Sequence, residues 1–232
     1  MQPGEALILQ NFEPDIKGGY RRVSGTALYN SNIVPQGSST TSLVVDCSIV
    51  FNGQIIAARG GDIHRGTTSG SFTSLTTGLG TATRAYDFEK FNFNGTDKLI
   101  IATGHSPAQI IDSSFSVDVV NATGGGTAPT NPKFVKVFQN HMFYAGATNS
   151  QEVIFSVPFA EDNFTSASGA GSFRVDSTVV GLKVFRNELI VFCEDRIYKL
   201  TGTTVSNFAV QEVTRNIGCR DAGSIQEIGG DV

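Results

Sequence analysis

Four times along this chain a short apolar run meets a two-residue break, and a second apolar run follows at once. The stretches are "VFNGQIIAARGGDIHRGT" from Val50, "FNFNGTDKLIIATGHSPAQII" from Phe91, "VFQNHMFYAGATNSQEVIFS" from Val137 and "VFRNELIVFCEDRIYKLTG" from Val184. A fifth start, "IQEIGGDV", closes the sequence. The breaks fall at Asn52-Gly53, Asn94-Gly95, Asn140-His141, Asn187-Glu188 and Gly229-Gly230. Asn and Gly tolerate positive φ, which the two-residue turns of β-hairpins demand. Each break therefore reads as a hairpin turn. Anchored on Asn52, Asn94, Asn140, Asn187 and Gly230, the steps are 42, 46, 47 and 43 residues. That is the period of a four-stranded propeller blade, about 40 to 50 residues.

Within a unit the second run reaches another turn, at Gly60-Gly61, Gly104-His105, Asn149-Ser150 or Glu194-Asp195, and a third run returns. In "RIYKLTG" the alternation of a strand is plain. The Gly/Ser/Thr stretches at 121–132 and 165–172 keep step with the repeat, so they read as loops and edge strands, not linkers between domains. No window sustains apolar spacing at three and four residues, and helix is not expected. The reading is an all-β chain: an incomplete β-propeller of four to five blade-like units over 41–232, preceded by an N-terminal arm over 1–40. The segment "ALILQ" would lie against an open sheet edge. A sandwich of four hairpins would show similar strands, but it gives no reason for the unit lengths to agree.

Chemistry is sparse. Net charge is −4 with no run of like charges, which leaves no electrostatic footprint for gripping a nucleic acid backbone; the one basic knot is 17–22, "KGGYRR". Cys47, Cys193 and Cys219 are odd in number and far apart, which fits a reducing compartment better than a disulfide framework. The start "MQPGEALILQ" lacks the pattern of a secretory signal, and no apolar run approaches the length of a membrane span. His64, His105 and His141 stand at different heights in the repeat, too scattered for a shared metal. "GTTSGSF" at 66–72 has glycines near serine but no helix to follow, so it does not read as a nucleophile elbow. No phosphate-binding loop or dinucleotide fingerprint is present. No enzyme activity, metal or cofactor is expected. The alternative weighed is a carbohydrate-binding or glycosidase propeller of sialidase type, whose blades carry a Ser-x-Asp-x-Gly-x-Thr-Trp turn. Here "TTSGSFTSL" has no Asp, and the chain has no Trp.

"NPKFVKVFQNHMFYAG", "EVIFSVPFAEDNFTSASGAGSFRVD", "VVGLKVFRNELIVFCEDRIYKLTG" and "NIGCRDAGSIQEIGGDV", in that order, resemble the repeat region of propeller-bearing structural proteins of tailed-bacteriophage virions. "NFEPDIKGGYRRVSGTALY" at 11–29 resembles their N-terminal segment. The resemblance implies a building block of a tail nozzle or head-to-tail connector in the virion tail or neck, assembled in the host cytoplasm. It implies a homo-oligomeric ring, with six copies favoured, that contacts other tail or connector proteins. DNA would pass through the lumen without sequence-specific binding, eased by the acidic balance of the chain. Tyr20, Arg21 and Arg22 are the candidates for a contact between subunits. Members of this kind continue into further blades, so the fifth unit would be left at its first turn, with an edge that another chain can complete.

Overall fold

The computed structural model describes residues 12–14, 19–22, 28, 30–37, 45–80 and 86–227. A small hairpin pairs β1 (Phe12–Pro14) with β2 (Tyr20–Arg22). Sixteen further strands form four antiparallel sheets of four, each in simple sequence order. The first sheet holds β3 (Cys47–Phe51), β4 (Gln54–Arg59), β5 (Asp62–Gly66) and β6 (Thr73–Thr76). The second holds β7 (Asp87–Phe93), β8 (Thr96–Ala102), β9 (Gln109–Asp112) and β10 (Val117–Val119). The third holds β11 (Phe134–Phe138), β12 (His141–Ala145), β13 (Glu152–Phe155) and β14 (Gly171–Arg174). The fourth holds β15 (Val179–Phe185), β16 (Glu188–Cys193), β17 (Arg196–Thr201) and β18 (Ala209–Arg215). Helix is confined to three short 3-10 turns among the described residues.

The repeated break is the first turn of every sheet. Asn52 and Gly53 have φ of 44° and 73°, Asn94 and Gly95 51° and 90°, which is the primed turn that matches strand twist. In the other two units the turn sits one residue earlier than the sequence predicts. Gln139-Asn140 (48°, 65°) and Arg186-Asn187 (46°, 62°) take the corner, while His141 and Glu188 already belong to β12 and β16. Without glycine as a marker, the sequence pattern places asparagine at the first corner position, yet it occupies the second. Gly229 and Gly230 lie outside the described residues, as does "ALILQ".

The sheets face one another in succession, and three cores join four sheets. Ile56, Ile63 and Phe51 of the first sheet share a core with Leu99, Ile101 and Ile111 of the second. Phe93 and Ile100 meet Met142 and Tyr144 between the second and third. Phe138, Phe143 and Phe155 meet Leu189, Val191 and Leu200 between the third and fourth. Polar ties reinforce the first strands: the Val135 amide donates to Asp87 Oδ2 at 3.0 Å and Lys136 Nζ lies 2.6 Å from Glu89 Oε2. Burial pushes the Asp87 carboxyl up, against the pull of Lys136. No cluster of buried side chains among the described residues combines the first sheet with the fourth.

Candidate functional site

Alternation along a strand assigns each side chain to one face, and it exposes a second repeat beneath the first. Phenylalanine precedes every first turn: Phe51, Phe93, Phe138 and Phe185. The first three are 3 to 4% exposed, each in the core shared with the following sheet. Phe185 is half-buried on the outer face of the fourth sheet, and the Arg186 guanidinium lies 4.9 Å from its ring centroid. Registers place Ile190, Phe192 and Ile197 on that same outer face. The face is mixed: Lys183, Glu188 and Lys199 share it, Lys199 Nζ lying 2.8 Å from Glu188 Oε1, and no sheet of this molecule covers it among the described residues.

Part of it is covered by the chain after β18. The Cys219 amide donates to the Cys193 carbonyl at 2.8 Å. Gly181 lies so close beneath Ile225 that a Cβ there would stand 2.4 Å from Ile225 Cδ1. Lys183 Nζ is 3.7 Å from Glu227 Oε2. Residues 222–227 thus bear the relation to β15 that β11 bears to β7. Nearby, Val213 and Ile217 are 55% and 65% exposed.

The opposite end of the array is the outer face of the first sheet. Val50, opposite Ile55 in the ladder, points away from the second sheet and is 58% exposed. The other half of this face lies under residues 30–37. Arg59 Nη1 donates to the Val34 carbonyl at 2.6 Å, and Asn30 and Asn32 donate to the carbonyl of Gly70 at 3.0 and 2.8 Å. The arm, as far as it is described, therefore lies on a sheet face as well as forming a hairpin of its own. On this same face His64, opposite Ala57 in the ladder, is 4% exposed, and neither ring nitrogen has a hydrogen-bond partner. Burial pushes its pKa down; Asp62 pulls it up and Arg59 adds to the fall.

Burial pushes the thiols of Cys47 and Cys193 up to about 12, far from the range of a thiolate nucleophile. His141, also held low by burial, has Nδ1 2.6 Å from the Ser156 carbonyl. His64, His105 and His141 lie in three different sheets or their loops. A cleft of about 490 Å³ opens beside the first turns of the first two sheets, lined by Asn52, Lys90, Phe91, Lys98 and Ser113 among others. Its polar groups are engaged: Lys90 Nζ donates to the Val50 carbonyl, Asn52 to Ser113, and Lys98 pairs with Glu161. Of the candidate contact residues, Tyr20, Arg21 and Arg22 form β2, and Arg22 is exposed. The side chains of Tyr20 and Arg21 lie outside the described residues. The phenylalanine before each turn was legible in the sequence as a fixed offset; the buried, unbonded histidine was not.

No family model and no curated protein matches the chain. Among solved structures, the extracellular domain of the putative hybrid two-component system BT4673 from B. thetaiotaomicron has a TM-score of 0.53 at 12% identity, over 78% of this chain and 23% of that one. Sqt1 of Saccharomyces cerevisiae gives 0.49 at 10%, over 89% and 55%. The computationally designed Ika8 protein gives 0.46 at 11%, over 81% and 53%. The chain thus spans about half the length of two of these structures and under a quarter of the third. None is a phage tail protein, and at these identities the likeness concerns the fold alone. The topology itself is that of an all-β, propeller-like array of four four-stranded antiparallel sheets.

Proposed function

We propose that this chain is a structural component of a bacteriophage virion, an incomplete propeller that repeats as a homo-oligomeric ring in a tail nozzle or head-to-tail connector. One observation carries the reading: the array ends in two unlike faces, both partly apolar, the outer face of the first sheet and the outer face of the fourth. Unlike faces that fit one another make a heterologous contact, and such contacts close into rings when the rotation allows. The resemblance of the repeat stretches to virion proteins supplies the setting. Six copies of a chain of net charge −4 give a ring that repels DNA on balance, so that DNA slides through instead of sticking. The β1–β2 hairpin, with Tyr20, Arg21 and Arg22, adds contacts to neighbouring subunits.

Electron microscopy of the purified chain and of intact phage particles tests this. A ring of about six copies around the DNA channel is expected. Specific binding or cleavage of a glycan by a chain absent from every particle would replace this reading with the carbohydrate one.

A further inference from the structure

Counting back from each first turn shows what the two end faces lack. One residue before the turns stands Phe51, Phe93, Phe138 or Phe185; two residues before stands Val50, Asn92, Val137 or Val184. The phenylalanine faces the following sheet and the residue two before faces the preceding one, as alternation requires. Phe93 shares a core with Val137, and Phe138 shares the next with Val184. Two members of the series have no counterpart among the described residues: Phe185, with no following sheet there, and Val50, with no preceding one. Val50 is 58% exposed and Phe185 is half-buried. Val34 and Gly37 lie at the Arg59 and Asp62 end of the first sheet, Asn30 and Asn32 reach Gly70 just beyond β5, and residues 222–227 run along the fourth sheet from Gly181 to Lys183.

We infer that Phe185 of one copy packs against Val50 of a second copy, so that the fourth sheet of one molecule meets the first sheet of the next. The contact repeats the two internal Phe–Val cores across a boundary between chains, in the same sense along the array. A second copy is the occupant because the two faces are complementary halves of one recurring interface. Within one molecule no core of described residues joins them. Arg186 must leave the Phe185 ring as the faces close. This inference rests on the assembly reading and adds which faces meet.

Sedimentation velocity on the whole chain, on Phe185→Lys, on Val50→Asp and on an equal mixture of the two variants decides it. The unaltered chain should associate with rising concentration, and each variant alone should associate at least about tenfold more weakly, the loss of about 1.4 kcal/mol of contact. Each variant keeps the face that the other has lost, so the mixture should form a one-to-one pair that neither forms alone. Phe185→Gln and Val50→Thr, milder changes, repeat the test if circular dichroism shows a charged variant unfolded. A chain that associates while its variants associate equally well, or a mixture that stays monomeric, overturns the pairing and leaves ring assembly standing. A chain that remains monomeric at every concentration, including one closed on itself through Phe185 and Val50, overturns both.

Discussion

The two outer faces of the array have been finished by different means. On the first sheet, a polar segment is fastened by Arg59, Asn30 and Asn32 to backbone carbonyls, and a histidine on the same face is buried without a hydrogen-bond partner. On the fourth, the segment after β18 lies along the place of a next first strand and leaves Phe185, Ile190 and Ile197 half-covered. The difference teaches where a repeat stops specifying its surroundings. Inside the array every face meets another copy of the same pattern, so apolar alternation suffices. At the ends, whatever the chain offers next must do the covering, and the cost appears either as an unsatisfied polar group or as half-buried aromatic surface.

The sharpest way to challenge that contrast uses one strand with two faces. Leu189 is fully buried between the third and fourth sheets, and Leu189→Ala should cost about 2 to 5 kcal/mol in urea unfolding. Ile190, its neighbour on the outer face, should cost less when cut to Ala, because part of its side chain stays in contact with water. Equal losses would mean that the outer face is as well covered as the inner one.

A smaller effect separates the two covering segments. A Cβ on Gly37 would lie 2.3 Å from the Arg59 carbonyl oxygen and 2.9 Å from Asp62 Cβ, so Gly37→Ala must push the segment off the sheet, at about 1 to 3 kcal/mol. Gly181→Ala meets only the tip of Ile225, which can rotate away, and should cost less than about 1 kcal/mol. Hydrogen exchange should show protection lost around 30–37 in the first variant and kept around 219–227 in the second. The reverse pattern would exchange the roles of the two ends.

The smallest effect is set by pH. Burial lowers the folded pKa of His64 below its ordinary 6.5, so the unfolded chain binds the proton more readily. Its contribution to stability is fully present above pH 6.5 and is lost as pH falls toward and through the lower folded value, by at most about 1.4 kcal/mol per pH unit. Thermal unfolding at pH 7 and pH 5 should show a larger acid loss for the unaltered chain than for His64→Leu. Identical losses would show that burial does not hold His64 neutral.

Much of the architecture was legible from turn chemistry. Asn-Gly at 52–53 and 94–95 marks two corners outright, and the period then finds the other two to within a residue. The slip at Gln139-Asn140 and Arg186-Asn187 arises because residues other than glycine hold positive φ there only under the constraint of the strands on either side. The outer strands β6, β10 and β14, three or four residues each, carry too few apolar side chains for alternation to announce them. The end faces were hidden for another reason: whether Phe185 resembles Phe138 depends on a neighbouring sheet, and no local window contains that.

The guanidinium resting on Phe185 also bears on how a free chain stays dispersed. An arginine held over an aromatic ring screens its apolar side while keeping a charge in water, and a cation–π contact at an open site is worth about 0.5 to 1 kcal/mol. Casual encounters therefore meet a cation where a sticky ring would otherwise be, whereas a surface able to bury the whole ring outcompetes the lid. A single side chain thus guards against clumping and yields to the right mate.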